Sequence, residues 1–352
     1  MTQTLAEHTT LRVGGPAKNW VIAHTEAELI DAVSSCDSAA EPVLVLAGGS
    51  NLLVGDDGFL GTVVQVASTG VEIAGGACSI DDPDAAQCGG AIVEVAAGEA
   101  WDAFVATAIG NQWRGIEALS GIPGSVGATP IQNVGAYGQE VAQTIWSVRT
   151  WDRHRNAVTT FAAGDCGFGY RTSRFKREPG RYLVLSVTFQ FRQGNMSMPV
   201  RFGELANRLG LSGGGKAPMT EVRDAVLALR AGKGMVLDPA DHDTWSAGSF
   251  FTNPILTAER AATLPEDAPR FGQDDGTVKT SAAWLIDRAG FGKGFGIPPA
   301  TLSSKHTLAL TNRGGATAAD LIALARQVRD GVEAAFNVRL EPEPVLVGVT
   351  LD

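Results

Sequence analysis

The chain has 352 residues, with 28 Lys+Arg against 38 Asp+Glu and a formal charge of −10 at pH 7, a length that carries one large domain or two to three smaller ones. An acidic chain without a basic stripe excludes a general nucleic-acid surface, because nothing is present to neutralise a run of phosphates. Hydrophobic (44%) and charged (19%) contents are those of an ordinary globular protein, but glycine is in excess at 43 copies without a Gly-X-Y period, which assigns these residues to turns or close backbone approaches.

No run of about 18 apolar residues occurs, and the first ten residues lack a charged segment followed by an apolar one. A cytoplasmic protein without membrane association is expected. Cys36, Cys78, Cys88 and Cys166 form neither a CxxC pair nor a zinc spacing, so they read as thiols of a reducing compartment.

Trp20 to Ala23 predicts a short strand. Thr25 and Glu28 have capping-box spacing and open a helix with Leu29, Ile30 and Val33 on one face. The run VLVLAGGSNLLV predicts a buried strand ending at Gly48, Gly49, Ser50 and Asn51. Gly61 to Val66 supplies another strand, completing a small α/β unit. From Thr69 to Gly90 periodicity is weak, and a surface loop is expected around Asp81 to Asp84. AIVEVAAG restarts strand character, and Trp101, Phe104, Val105, Ala108 and Ile109 mark a helix by their spacing.

After a glycine-rich run to Gly138, the pieces TIWSVRTWD, AVTTFAA and YLVLSVTFQF predict the strands of an α+β block. Ser212 to Pro218 reads as an interdomain linker. Thr220 to Leu229 and SAAWLIDRAG predict helices, and HTLALTN a strand. Thr317 and Asp320 cap an amphipathic helix with Leu321, Leu324, Val328, Val332 and Phe336 on its buried side. There is no internal repeat, which removes solenoids and propellers.

The standard cofactor fingerprints are absent. The chain has no GxxxxGK[ST], no GxGxxG between a strand and a helix, and no GxSxG, since Pro123 stands where the first glycine would precede Ser125. Asp241, His242 and Asp243 are the only run that suggests a metal; a solvated loop beside Asp238 and Pro239 explains it as well, and no metal is expected. Two glycine clusters remain. AGGSNLLV sets small residues and an asparagine just after a strand, where backbone N–H groups can form an anion nest. The run from Gly115 to Glu140, with Gly121, Gly124, Gly127, Gly135 and Gly138 punctuated by Pro123 and Pro130, cannot form a long helix. It is either a wall that lets backbone approach a diphosphate or a tightly packed structural loop, and spacing alone favours neither.

The order of several motifs is more specific than any one of them. AGGSNLLV, then GIPGSVGATPIQNVGAYGQEV, CGFGYRTSRFK, GSFFTNP, SAAWLIDRAG and FNVRLEPEPVLVG together resemble the UDP-N-acetylenolpyruvoylglucosamine reductase family, in its longer, type I form. The resemblance implies an α+β protein with a two-part FAD-binding fold of the vanillyl-alcohol-oxidase kind and a C-terminal α+β substrate-binding domain. The boundaries it implies are 1–67 and 68–215 for the FAD-binding subdomains and 219–343 for the substrate domain, with 344–352 returning to the first. By motif, Gly48, Gly49, Ser50, Asn51 and Leu52, then Gly121, Ile122, Pro123, Gly124, Ser125, Gly127, Gln132, Asn133 and Gly135, become FAD contacts.

The implied reaction is NADPH-dependent reduction of UDP-N-acetylglucosamine enolpyruvate to UDP-N-acetylmuramate through bound FAD, in peptidoglycan precursor synthesis. Arg171, Ser249 and Glu343 match the family's catalytic positions. A guanidinium suits the negative charge that grows beside the substrate carboxylate, a serine hydroxyl can protonate the carbanion-like carbon, and a protonated glutamic acid can donate to the growing oxyanion. Tyr170, Phe202, Lys233 and Asn253 become contacts to the UDP-sugar, with Phe202 keeping the ring but losing the hydroxyl of a tyrosine common in the family. A monomer is expected. A flavin oxidase of the same fold and a non-catalytic flavin or nucleotide binder are the alternative readings.

Overall fold

The computed structural model describes residues 3–75 and 90–352. Cys78, Cys88 and the loop expected at Asp81 to Asp84 lie outside the described residues. The chain divides into two compact units, each assembled from separated segments: one from 1–18, 49–60 and 232–352, the other from 19–48 and 61–231. We call them the terminal unit and the central unit.

The central unit is built on two sheets. In the smaller, Phe59–Val66 lies between Ala17–Ala23 and Val43–Leu46, and its pairing with Val43–Leu46 is parallel, from Val43 opposite Thr62 to Leu46 opposite Gln65. The helix Glu26–Ser38, whose Thr25 side chain accepts the Glu28 N–H, links Ala17–Ala23 to Val43–Leu46, and the connection that a parallel pair needs is the segment 47–58, which contains Leu52–Val54. Val45 is 38% exposed: Val43–Leu46 is an edge strand, so the buried strand expected there is covered only in part.

The larger sheet runs Ala157–Ala162, Ile145–Asp152, Tyr182–Gln193, Ala91–Ala96, Val71–Gly75, with Trp113–Arg114 added on Tyr182–Gln193. Alternation along Tyr182–Gln193 sends Val187, Phe189 and Phe191 into a core shared with Trp101, Phe104 and Val105 of the helix Trp101–Gly110. Phe104 and Phe189 lie 5.1 Å apart by ring centroids. Each such fully buried aromatic contributes about 2 kcal/mol by area. Ser212 to Pro218 does not behave as a linker: Gly214 donates to Val200 O, Val200 to Gly215 O and Ser197 to Ala217 O, so it is paired to a neighbouring segment within the unit. Cys36 and Cys166 are buried free thiols, and burial pushes Cys166 up to about 12, which leaves it inert.

In the terminal unit the core packs around the helix Ala318–Phe336, whose Leu321, Leu324, Val328 and Val332 are buried with Phe250, Phe251, Leu285 and Leu302. Thr317 and Asp320 form the expected capping box, and the Asp56 carboxylate accepts the first helical N–H, from Ala318, at 2.7 Å, where the helix dipole favours an anion. Short sheets flank this helix, among them Ala300–Leu302 with Leu310–Asn312. Leu52–Val54 and Val345–Val347 pair in parallel, joining the first glycine cluster to the end of the chain. Among the described residues no helix is long and apolar enough to cross a membrane.

Candidate active site

In the central unit the second glycine cluster folds as turns: 3-10 turns at Glu117–Leu119 and Val126–Ala128 are separated by Gly121 at φ +72° and Gly124 at φ +114°. Its backbone is stitched to the start of the helix Trp101–Gly110. Trp101 N–H donates to Gly124 O at 3.0 Å and Val126 N–H to Glu99 O at 2.9 Å, while the Trp101 Nε1–H donates to Leu119 O at 3.0 Å. A Cβ on Gly48 would lie 2.7 Å from Gly124 Cα, and one on Gly127 would lie 2.5 Å from Ala97 Cβ. The glycines therefore let two clusters that are remote in sequence meet backbone to backbone.

The Asp102 carboxylate accepts the Gly121 N–H at 2.6 Å and a bidentate pair from Arg223 at 2.7 and 2.8 Å. Burial works to raise this carboxyl, but the guanidinium and the N–H outweigh it and hold its pKa below the ordinary value. Glu117, 1% exposed, accepts from Gly115 N at 2.6 Å, Gln139 Nε2 at 2.9 Å and Met198 N at 2.7 Å. Neither acid is part of the motif reading; the signal was an isolated carboxylate within an otherwise apolar or glycine-rich run. Ser125 is 5% exposed and its hydroxyl has no hydrogen-bond partner. A buried orphan hydroxyl beside backbone that a Cβ would obstruct fits a polar ligand such as FAD.

Arg171 sits on a tight turn closed by Gly169 N–H to Thr172 O at 3.1 Å and Thr172 N–H to Gly169 O at 3.3 Å. Its φ is +51°. The guanidinium donates through Nη2 to Gly135 O at 2.7 Å, and its central carbon lies 5.4 Å from the Tyr170 ring centroid. Ser173 donates to Ile131 O at 2.6 Å, and Asn133 reaches Gly169 O at 3.1 Å. The central unit thus brings Asn133, Gly135, Tyr170 and Arg171 together. Gln132 is half-buried beside them. Phe202, 43% exposed, meets the Tyr137 ring edge-on at 5.5 Å.

The terminal unit carries Gly49 to Leu52, Lys233, Ser249, Asn253 and Glu343. Gly49, at φ +59°, packs so closely that a Cβ would fall 1.9 Å from His8 O. Glu343 N–H donates to Phe250 O at 2.8 Å, Thr252 N–H to Glu341 O at 3.0 Å and Val345 N–H to Asn51 O at 3.0 Å. The Asn51 amide donates to Glu343 O at 3.3 Å. Ser249, Glu343 and Asn51 therefore stand on adjoining backbone although they are far apart in sequence. Asn253 Oδ1 accepts the Ala282 N–H at 2.9 Å, fastening GSFFTNP to the helix Ala282–Arg288. Lys233 is half-buried just past the helix Met219–Gly232.

Asp241 to Asp243 follow the exposed stretch 237–240; Asp241 and His242 are half-buried and Asp243 is buried. Asp243, 4% exposed, accepts from Ser304 N at 2.8 Å and from Arg313 at 2.7 Å, and Asp241 pairs with Lys305. Hydrogen bonds within the protein satisfy the buried Asp243 carboxylate, while Asp241 combines its pairing to Lys305 with partial exposure to water.

Comparison with known proteins agrees along the chain. Residues 17–158 match a family model described as an FAD binding domain, and 238–347 match the UDP-N-acetylenolpyruvoylglucosamine reductase C-terminal domain. A UDP-N-acetylenolpyruvoylglucosamine reductase of Cutibacterium acnes is 58% identical over 350 residues, covering 99% of this chain and 90% of its own length. One from Thermobifida fusca is 52% identical, covering 99% and 97%. The crystal structure of UDP-N-acetylenolpyruvylglucosamine reductase from Thermus caldophilus matches with a TM-score of 0.65 at 25% identity, covering 99% of this chain and 98% of its own.

Proposed function

The chain belongs to the UDP-N-acetylenolpyruvoylglucosamine reductase family, and from that premise we propose which of its residues carry the NADPH-dependent, FAD-mediated reduction of UDP-N-acetylglucosamine enolpyruvate. FAD, when bound, passes a pair of electrons from NADPH to the enol ether. Gly48 to Leu52 and Gly121 to Ser125 with Gly127 hold it, the Ser125 hydroxyl supplying a buried hydrogen bond that the protein alone leaves unmade. Gln132, Gly135 and the backbone of residue 133 extend that wall.

Arg171 stabilises the negative charge that grows at the substrate carboxylate, with a planar donor set that cannot lose its proton. Ser249 donates a proton to the carbanion-like carbon adjacent to the one that takes the hydride, and Glu343, in its protonated form, hydrogen-bonds the developing oxyanion. Tyr170, Lys233 and Asn253 contact the nucleotide sugar. Phe202 does so through its ring alone. The observation that carries this assignment furthest is the 2.8 Å bond from Glu343 N–H to Phe250 O, which sets Glu343 on backbone adjoining Ser249.

The test is stopped-flow absorbance at the flavin bands. Rapid reoxidation of NADPH-reduced enzyme by the enolpyruvyl nucleotide, and slow reoxidation by oxygen, is expected. The reverse pattern sinks the reading in favour of a flavin oxidase. The reading extends to a cytoplasmic monomer that binds neither nucleic acid nor membrane, in keeping with the net charge of −10 and a water-soluble nucleotide substrate; a dimer mass in light scattering would refute the monomer.

A further inference from the structure

We propose that Asn133 is a positioning residue for Arg171, holding the turn that carries the guanidinium, and that its side chain is not a ligand of the cofactor. The proposal rests on the role given to Arg171 above. Asn133 is 1% exposed and its side-chain amide is engaged within the protein. Nδ2 donates to Glu140 Oε2 at 2.8 Å and to Gly169 O at 3.1 Å, and Oδ1 accepts the Ala142 N–H at 3.1 Å. A primary amide has two hydrogens. Both are spent on the protein.

What they hold is strained. Arg171 at φ +51° occupies the left-handed region, which is unfavourable for a residue that bears a side chain. Such a turn persists only where its surroundings over-determine it. Gly169 O, the acceptor of Asn133, is also one end of the paired bonds that close the turn. Gly135 O, two residues beyond Asn133, takes the Arg171 Nη2–H at 2.7 Å, and the Ser173 hydroxyl ties the downstream side to Ile131 O at 2.6 Å. One short segment, 131–135, therefore grips the turn at its base, at the guanidinium and at its exit.

Asparagine is suited to this position on two counts. Asn133 itself has φ +48°, which asparagine tolerates better than most residues. An aspartate would lose both donated hydrogens and set a second carboxylate against Glu140.

The experiment is a double-mutant cycle on the FAD-loaded enzyme, using Asn133→Gly, which keeps the backbone conformation, and Arg171→Ala. Asn133→Gly is expected to keep stoichiometric FAD with an unchanged visible spectrum and flavin reduction by NADPH within about twofold. Reoxidation by the enolpyruvyl nucleotide should slow about 10²-fold, the effect of a misplacement on the ångström scale. In the Arg171→Ala background the same substitution should add less than about twofold, since residues acting through one group are non-additive. Should Asn133→Gly not fold, Glu140→Ala loosens the same amide from its other anchor, with an expected slowing of about tenfold and the same non-additivity. A folded variant of either kind that loses FAD or shifts its spectrum, or that slows reoxidation equally with and without Arg171, overturns the proposal. Normal reoxidation in Arg171→Ala alone removes the catalytic role of Arg171 and the proposal with it; normal reoxidation in Asn133→Gly alone removes only the positioning role.

Discussion

The two units hold their candidate reactive side chains by different means. In the terminal unit Ser249 and Glu343 are carried on paired backbone: Glu343 N–H to Phe250 O, Thr252 N–H to Glu341 O, and the parallel register of Val345 with Leu52. In the central unit backbone bonds between Gly169 and Thr172 close the turn that carries Arg171, but side chains, its own and those of Asn133 and Ser173, fasten that turn to its surroundings. Backbone pairing is indifferent to the identity of neighbouring side chains, so the first arrangement should fail only where the reactive group itself is removed. A side-chain cradle fails one residue away as well.

The largest effect expected is therefore at Ser249. Ser249→Ala should leave flavin reduction by NADPH intact and slow reoxidation by substrate about 10³-fold, the loss of a positioned proton donor. Normal reoxidation in that variant would refute Ser249 as the donor. Glu343→Ala should follow at about 10²-fold in the same half-reaction, as for a lost oxyanion donor, because the carbonyl and N–H that seat the residue are retained. A collapse of FAD binding in either variant, read from the flavin spectrum, would mean that backbone pairing does not hold this unit's site by itself.

Gly135→Ala probes the opposite case. The new Cβ would lie 2.8 Å from Glu140 Cγ, 2.9 Å from Gln139 O and 3.2 Å from Arg171 Nη1. It adds no charge and removes no reactive group, yet at that distance it displaces the guanidinium. A slowing of reoxidation of about tenfold is expected, with flavin reduction by NADPH as the internal control. An unaffected rate would show that the cradle around Arg171 is slack.

The same contrast explains what the sequence made legible. The helices Trp101–Gly110 and Ala318–Phe336 announce themselves through apolar spacing, the latter also through the Thr317–Asp320 cap, and Tyr182–Gln193 through alternation. These signals are local. HTLALTN yields strand only at Leu310–Asn312, because Ala309 N–H turns back to His306 O and Ser303 N–H to Ala309 O. Ser212 to Pro218 has linker composition, yet its backbone finds partners in Ser197 and Val200, a tertiary fact that composition does not carry. At the candidate site, motif order led to Ser249, Glu343 and Arg171, but spacing gave no account of the backbone that joins the first two. Nor did it mark Asp102 or Glu117, whose partners, Gly115 beside Glu117 excepted, lie on segments remote from them in sequence.

Asp102 offers the smallest test and one with a definite sign. Its bidentate contact with Arg223 and its bond from Gly121 N–H anchor the second glycine cluster through a side chain, like the Arg171 cradle. Its folded pKa lies below the ordinary value, so its contribution is fully present above the unfolded pKa, near 3.9, and is lost as pH falls through the folded one. The carboxylate is 39% exposed, and solvent screening reduces the contribution to about 1 kcal/mol. Asp102→Asn should therefore unfold more easily in urea at pH 7 by that amount, and the gap from the parent should close as pH is lowered below about 4. Were burial the dominant influence on the carboxyl, the parent would instead gain on the variant as it became protonated. A gap that widens on acidification would thus show that Arg223 and Gly121 do not compensate the desolvation of Asp102, and that the glycine cluster is anchored by its other bonds, those to Glu99 and Trp101 among them.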